Sequence, residues 1–129
     1  MLLRIDSGNG LAIYEQIVRQ VKFAIADGVL RSGQLVPSVR ELARELAINP
    51  NTIARAYRQL QDDGVVDAVR GTGLEVAQGA SDRCREERLT LIRARLRQVL
   101  EEGKRSGLEP DKLRQLVDKE LAALEHQKR

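Results

Sequence analysis

The stretch PSVRELARELAINPNTIARAYRQLQDDG, residues 37–64, decides the fold. Ser38-Val39-Arg40-Glu41 matches a capping box, in which the Ser38 hydroxyl accepts from the Glu41 amide and the Glu41 carboxylate returns to the Ser38 amide. Leu42, Ala43 and Leu46 then supply the apolar face of a short helix. Ala47-Ile48-Asn49 is a brief turn, and Asn49-Pro50 reads as an N-cap followed by proline at the first helical position, where its missing amide hydrogen does no harm. The next helix runs from Pro50 to about Asp62, burying Ile53, Ala56, Tyr57 and Leu60, and Gly64 closes it. Two helices with separate caps, joined by about three residues, form a helix-turn-helix signature.

Upstream of this stretch, Tyr14, Ile17, Val21, Ala24 and Ile25 recur at helical spacing, Gly28 supplies a stop, and Val29 to Pro37 reads as an irregular, part-extended connection. Downstream, Val65 to Val69 and Leu74 to Ala77 flank Arg70-Gly71-Thr72-Gly73, which predicts two short strands around a glycine turn, a wing. Gln78-Gly79-Ala80-Ser81 reads as a linker, placing one domain at 1–78 and a second at 79–129. From Asp82 to Glu102 the apolar residues Leu89, Ile92, Leu96 and Val99 make a narrow seam flanked by charges. Gly103 to Glu109 breaks it, and Pro110 opens a second helix carrying Leu113, Leu116, Val117, Leu121 and Leu124. Such a hairpin buries little by itself, so its surplus seam predicts dimerisation. The fold class expected is mainly α with a small β-hairpin: a winged helix-turn-helix domain followed by a two-helix antiparallel dimerisation hairpin.

Composition narrows the chemistry. A chain of 129 residues holds one domain, or one small domain with an oligomerisation appendage, and excludes a multi-domain enzyme. With Tyr14, Phe23 and Tyr57 as its only aromatic residues, each at helical spacing among aliphatic neighbours, the chain lacks platforms for stacking unpaired bases. Its lone cysteine, Cys84, and lone histidine, His126, read as inert surface residues and cannot supply a structural zinc site or a Cys-His catalytic pair. No catalytic residue, metal or cofactor is expected, and the Gly71-Thr72-Gly73 turn is too short to cradle a phosphate. Neither a signal peptide nor an apolar run of about 18 residues is present, which predicts a cytoplasmic protein without membrane contact. The net charge of +3 is misleading as to place, because residues 1–78 carry nine basic and nine acidic side chains. From Arg31 to Gln61, however, five arginines face only Glu41 and Glu45, a local excess that suits nucleic acid.

Tyr14-Glu15-Gln16-Ile17, Gly33-x-x-x-Pro37-Ser38-Val39-Arg40-Glu41-Leu42-Ala43, Asn49-Pro50-Asn51-Thr52-Ile53-x-x-Ala56-Tyr57, Gly64 and Gly71-Thr72-Gly73 follow one another in order. Over about residues 11–77 this constellation resembles the GntR family of bacterial transcription regulators. The tail is too short for the ligand-binding domains most members carry and looks like the YtrA subfamily, whose C-terminal helices serve dimerisation. Glutamate stands at position 75, where the family usually has an aromatic residue. The resemblance implies a sequence-specific regulator of transcription that binds double-stranded DNA, a repressor acting as a homodimer on an inverted-repeat operator. No residue identifies a small-molecule effector. The rival reading is a winged-helix adaptor that docks proteins instead of DNA and dimerises through its tail.

In such a fold the third helix enters the major groove, and the candidates at its first turns are Asn49, Asn51, Thr52 and Arg55. Asparagine pairs with adenine and threonine touches a thymine methyl. Asn49 is equally explained as a cap and Thr52 as a first-turn residue, whereas Asn51 has no structural role to account for it. The resemblance implies a DNA contact at Arg40. Arg44 is read as pairing with Glu41 or Glu45, and Arg58 as reaching phosphate at most. Arg70 and Gly71 at the wing tip suit a minor groove or a phosphate. The six arginines from Arg83 to Arg97 read as a solvated helix face, with a secondary DNA contact as the other reading.

Overall fold

The computed structural model describes residues 3–127. Five helices and one hairpin follow in the order α1 (Ile13–Ala26), α2 (Val39–Leu46), α3 (Pro50–Asp62), β1 (Val66–Val69), β2 (Gly73–Val76), α4 (Ala80–Arg105) and α5 (Pro110–Gln127). They form two compact units that divide between Leu89 and Thr90.

In the first unit α1 and α2 pack against α3 around Ile17, Val21, Ile25, Leu42, Ile53 and Leu60, all essentially inaccessible to solvent. Tyr57 joins this core, while Tyr14 is half-buried against it. Two glutamines one turn apart on α1 hold the segment before it. The Gln16 amide accepts from the Asp6 N–H and donates to the Asp6 and Leu11 carbonyls, and Gln20 pairs with both backbone groups of Arg4. These side chains satisfy backbone that has no strand partner.

Helices α1 and α3 and the first helix of the tail, α4, end alike. Gly28, Gly64 and Gly107 take left-handed conformations, and the residue after each donates back to the carbonyl five positions earlier, as Val65 does to Leu60 at 3.1 Å. Helix α2 uses the same closure with alanine: Ala47 sits at φ 53° while the Ile48 N–H reaches the Ala43 carbonyl at 3.0 Å. Among the described residues Ala47 is the only non-glycine with positive φ, and its Cβ makes that conformation cost about 1 kcal/mol.

The hairpin pairs antiparallel with Val66 opposite Val76 and Val69 opposite Gly73. The connection expected to be irregular and part-extended contributes to this sheet. The Gly33 N–H donates to the Val76 carbonyl at 2.8 Å, the Val76 N–H to Gln34 at 2.9 Å, and the Val36 N–H to Leu74 at 2.9 Å. Leu35 thereby bridges Glu75, so the glutamate lies on an edge that residues 33–36 cover with backbone hydrogen bonds.

One expectation about the start of the tail is corrected. Ala80 and Cys84, on the first turns of α4, are fully buried among the residues of the first unit, which runs to Leu89. Cys84 is therefore a core residue and not a surface one, and burial, reinforced by Glu87, pushes its thiol pKa up and keeps it protonated. The same α4 face grips its neighbours. Arg83 donates to the Gly64 carbonyl at 2.6 Å, Arg88 meets Asp27 at 2.5 Å, and Glu87 meets Lys22 at 2.6 Å. Lys22, on α1 and 4% exposed at its side chain, also pairs with Asp63 at 2.7 Å. Burial opposes the Lys22 ammonium, but hydrogen bonds to Asp63 and Glu87 more than offset it, and its pKa is raised.

In the second unit α4 continues through Gly103 to Arg105, so Gly103 does not break the helix. Its missing side chain has a packing reason: a Cβ there would meet Leu113 Cδ2 at 2.6 Å. The α4 to α5 connection closes at Leu108, whose N–H reaches the Gly103 carbonyl at 3.0 Å. No described residue from Thr90 onward is buried.

Candidate nucleic-acid interface

Three depressions on the first unit border helix α3, which lends the first of them only Pro50. The first lies against α2 and is lined by Ser38, Val39, Arg40, Ala43, Arg44, Ile48 and Pro50. Its geometry follows from the two caps. Ser38 Oγ accepts from the Glu41 N–H at 3.1 Å, and Asn49 Oδ1 accepts from the Asn51 N–H at 2.8 Å. Asn49 is thus a cap in fact, with its amide nitrogen left for another partner. Arg40 and Arg44 are both exposed along this depression. Arg44 makes no ion pair with Glu41 or Glu45, contrary to the expectation for it, and lines the depression beside Arg40, four residues away on the same helix face.

The second depression lies against the start of α1, lined by Ala12, Ile13, Tyr14, Asn51, Thr52 and Arg55. Asn51 is exposed and Thr52 half-buried. The Arg55 guanidinium carbon lies 3.8 Å from the centroid of the Tyr14 ring, a cation-π contact between the first turn of α1 and the second turn of α3. Sequence reading placed Arg55 among the groove residues without this neighbour.

The third depression separates α3 from the wing, with Ala54, Tyr57, Arg58 and Gln61 on one side and Ala68, Thr72, Gly73 and Leu74 on the other. Tyr57 closes its floor by donating from its hydroxyl to the Pro37 carbonyl at 2.7 Å, tying α3 to the entry of α2. Burial, with Glu41 and Glu45 nearby, raises the phenol pKa well above its usual value, so it remains a donor. At the wing tip the Thr72 N–H closes a turn on the Val69 carbonyl at 2.9 Å, with Gly71 at φ 78°. Arg70 and Gly71 are exposed there.

The residues nominated in the tail divide in two. Leu113 and Val117 are half-buried between α4 and α5, whereas Ile92, Leu96, Val99, Leu116, Leu121 and Leu124 are exposed by 39 to 61%. Leu89, at the end of the first unit, is also exposed. Among the described residues no group of three His, Cys, Asp or Glu side chains could hold a metal ion, and no helix is long and apolar enough to cross a membrane.

The pattern of the family described as "Bacterial regulatory proteins, gntR family" matches residues 13–76. The HTH-type transcriptional repressor YtrA of Bacillus subtilis (strain 168) is 34% identical over 122 residues, which span 95% of this chain and 93% of the relative. Among solved structures, a GntR family transcriptional regulator from Listeria monocytogenes is similar with a TM-score of 0.70 and 33% identity, covering 89% of this chain and 98% of that one. The AraR DNA-binding domain in complex with operator ORE1 is similar with a TM-score of 0.51 and 26% identity, over 60% of this chain and 94% of that one.

Proposed function

Since the chain belongs to the GntR family of bacterial regulatory proteins and is YtrA-like, we propose that it is a cytoplasmic repressor that binds an inverted-repeat operator as a homodimer. The observation that carries this reading is the arrangement around α3. A doubly capped helix-turn-helix presents Asn51 and Arg55 on its exposed side, flanked by Arg40 and Arg44 in one depression and by the Arg70 wing tip beyond another. Asn51 reads an adenine edge, Thr52 offers its methyl to thymine, and Asn49 uses its free amide nitrogen at the same turn. Arg40 and Arg44 meet the backbone beside α2, and Arg70 with Gly71 approaches a minor groove or its phosphates. Operator binding is stated for AraR, and the shared fold makes duplex DNA the ligand to expect here.

Dimerisation is supported by the tail. From Thr90 onward no described residue is buried, and a hairpin packed so thinly cannot offset the entropy of ordering its residues. Leu89, Ile92, Leu96, Val99, Leu116, Leu121 and Leu124, with Leu113 and Val117 beneath, supply the seam a second copy would cover. Pairing would set two α3 helices about 34 Å apart on one DNA face and couple two modest affinities into one strong one. A dimer seated on a promoter excludes polymerase without further surfaces, as befits a relative of a repressor.

Selection from a random duplex library with the purified protein tests the reading. A two-fold symmetric site is expected, bound with an affinity that falls steeply with salt. Sedimentation should give a dimer that Leu96→Glu with Leu121→Glu converts to monomer. Failure to retard any duplex at low salt would sink the proposal, as would a wild-type protein that sediments as a monomer while still protecting both halves of a symmetric site.

A further inference from the structure

Tyr14 is fixed by its surroundings: half-buried, it packs against the core one turn ahead of Ile17 and Val18. Arg55 is exposed and among the described residues has no carboxylate partner, so the ring is what orients it. The guanidinium lies over that ring at 3.8 Å. An unanchored arginine on a helix surface samples many rotamers, and anchoring it before binding removes part of the ordering that DNA would otherwise have to impose.

We infer that Tyr14 is a positioning residue for DNA binding: its ring holds the Arg55 guanidinium at the α1/α3 depression, where the group meets a backbone phosphate at the border of the major groove. This rests on the DNA-binding reading above and assigns a division of labour within it. The stack draws Arg55 toward α1, away from the depression that α3 shares with the wing and that Ala54, Arg58 and Gln61 line. The ring occupies one flat face of the guanidinium and leaves its in-plane N–H edge free, the edge that grips phosphate in bidentate fashion. Covering the site with DNA removes water from the stack and strengthens it.

The experiment uses the full chain and four variants, Tyr14→Phe, Tyr14→Leu, Arg55→Ala and the Tyr14→Leu/Arg55→Ala pair, each first shown by circular dichroism to be folded at the assay temperature. Affinities are measured over a salt series for a duplex carrying the selected site and for one of unrelated sequence. Arg55→Ala should weaken both duplexes alike and lower the salt slope by about 1 for each phosphate that Arg55 neutralises. Tyr14→Leu should weaken both by about two- to fivefold per half-site, the range of an exposed cation-π pair, while Tyr14→Phe behaves as wild type. In the Arg55→Ala background Tyr14→Leu should add nothing. A Tyr14→Leu defect that persists without Arg55, a Tyr14→Leu protein that binds as wild type, or an Arg55→Ala protein that loses base preference at one position and keeps its grip on unrelated DNA overturns the assignment. A wild-type protein that binds neither duplex overturns the DNA-binding reading itself, and this inference with it.

Discussion

Replacing Lys22 with methionine keeps most of the side chain's volume and removes its charge from between two carboxylates. The Lys22 side chain is 4% exposed, with Asp63 at 2.7 Å and Glu87 at 2.6 Å from its ammonium, so in Lys22→Met both anions lose the cation they share. Removing one partner of a fully buried pair costs about 3 to 5 kcal/mol. Asp63 and Glu87 are 30 and 37% exposed and regain water, which discounts the loss to about 2–3 kcal/mol. For a unit of this size that lowers the melting point by roughly 10 °C or more. Urea unfolding at fixed protein concentration measures it. Because the cost is the stranded charges and not the missing attraction, the triple variant Lys22→Met, Asp63→Asn, Glu87→Gln should recover most of the loss. A Lys22→Met protein within about 0.5 kcal/mol of wild type, or a triple variant whose loss is the sum of its parts, would refute the reasoning.

Three further outcomes are expected. Lys22, with its raised pKa, contributes stability that is fully present below about pH 10 and is lost as the pH climbs through the raised folded value; melting curves of wild type should fall in that alkaline range while those of Lys22→Met lack the step. Ala47→Gly should relieve the left-handed turn after α2 and stabilise the protein by about 0.5–1 kcal/mol in denaturant titrations, with no change in DNA affinity. Asn49→Asp keeps the cap on the Asn51 N–H and so keeps the melting point, but sets a negative charge at the recognition turn; duplex binding should fall at least tenfold, a loss of about 1.4 kcal/mol.

The helix-turn-helix was legible in the sequence because its determinants are local. Ser38 and Asn49 act within three residues of themselves, and Leu42, Ile53, Ala56 and Leu60 mark a single period. What was not legible depends on partners far along the chain. Cys84 and Ala80 are too small to announce an apolar face, yet they fill the first unit's core. Gly103 carries the signature of a helix stop and serves instead to admit Leu113. Arg55 gave no sign of Tyr14, which is separated from it by α2 and both connections. Arg44 was assigned to nearby carboxylates by spacing, and the side chain adopts none of those pairings.

The backbone bonds between residues 33–36 and β2 enclose α2, α3 and β1 in a loop of about forty residues, whose closure entropy alone is about 3 kcal/mol. Local helices form ahead of contacts that must close such loops. A chain leaving the ribosome can therefore assemble α2 and α3 once Gly64 has emerged, but Gly33 and Val36 find their partners only after Val76 does. Their amides should be among the last in the first unit to gain protection during refolding, after those of α2 and α3.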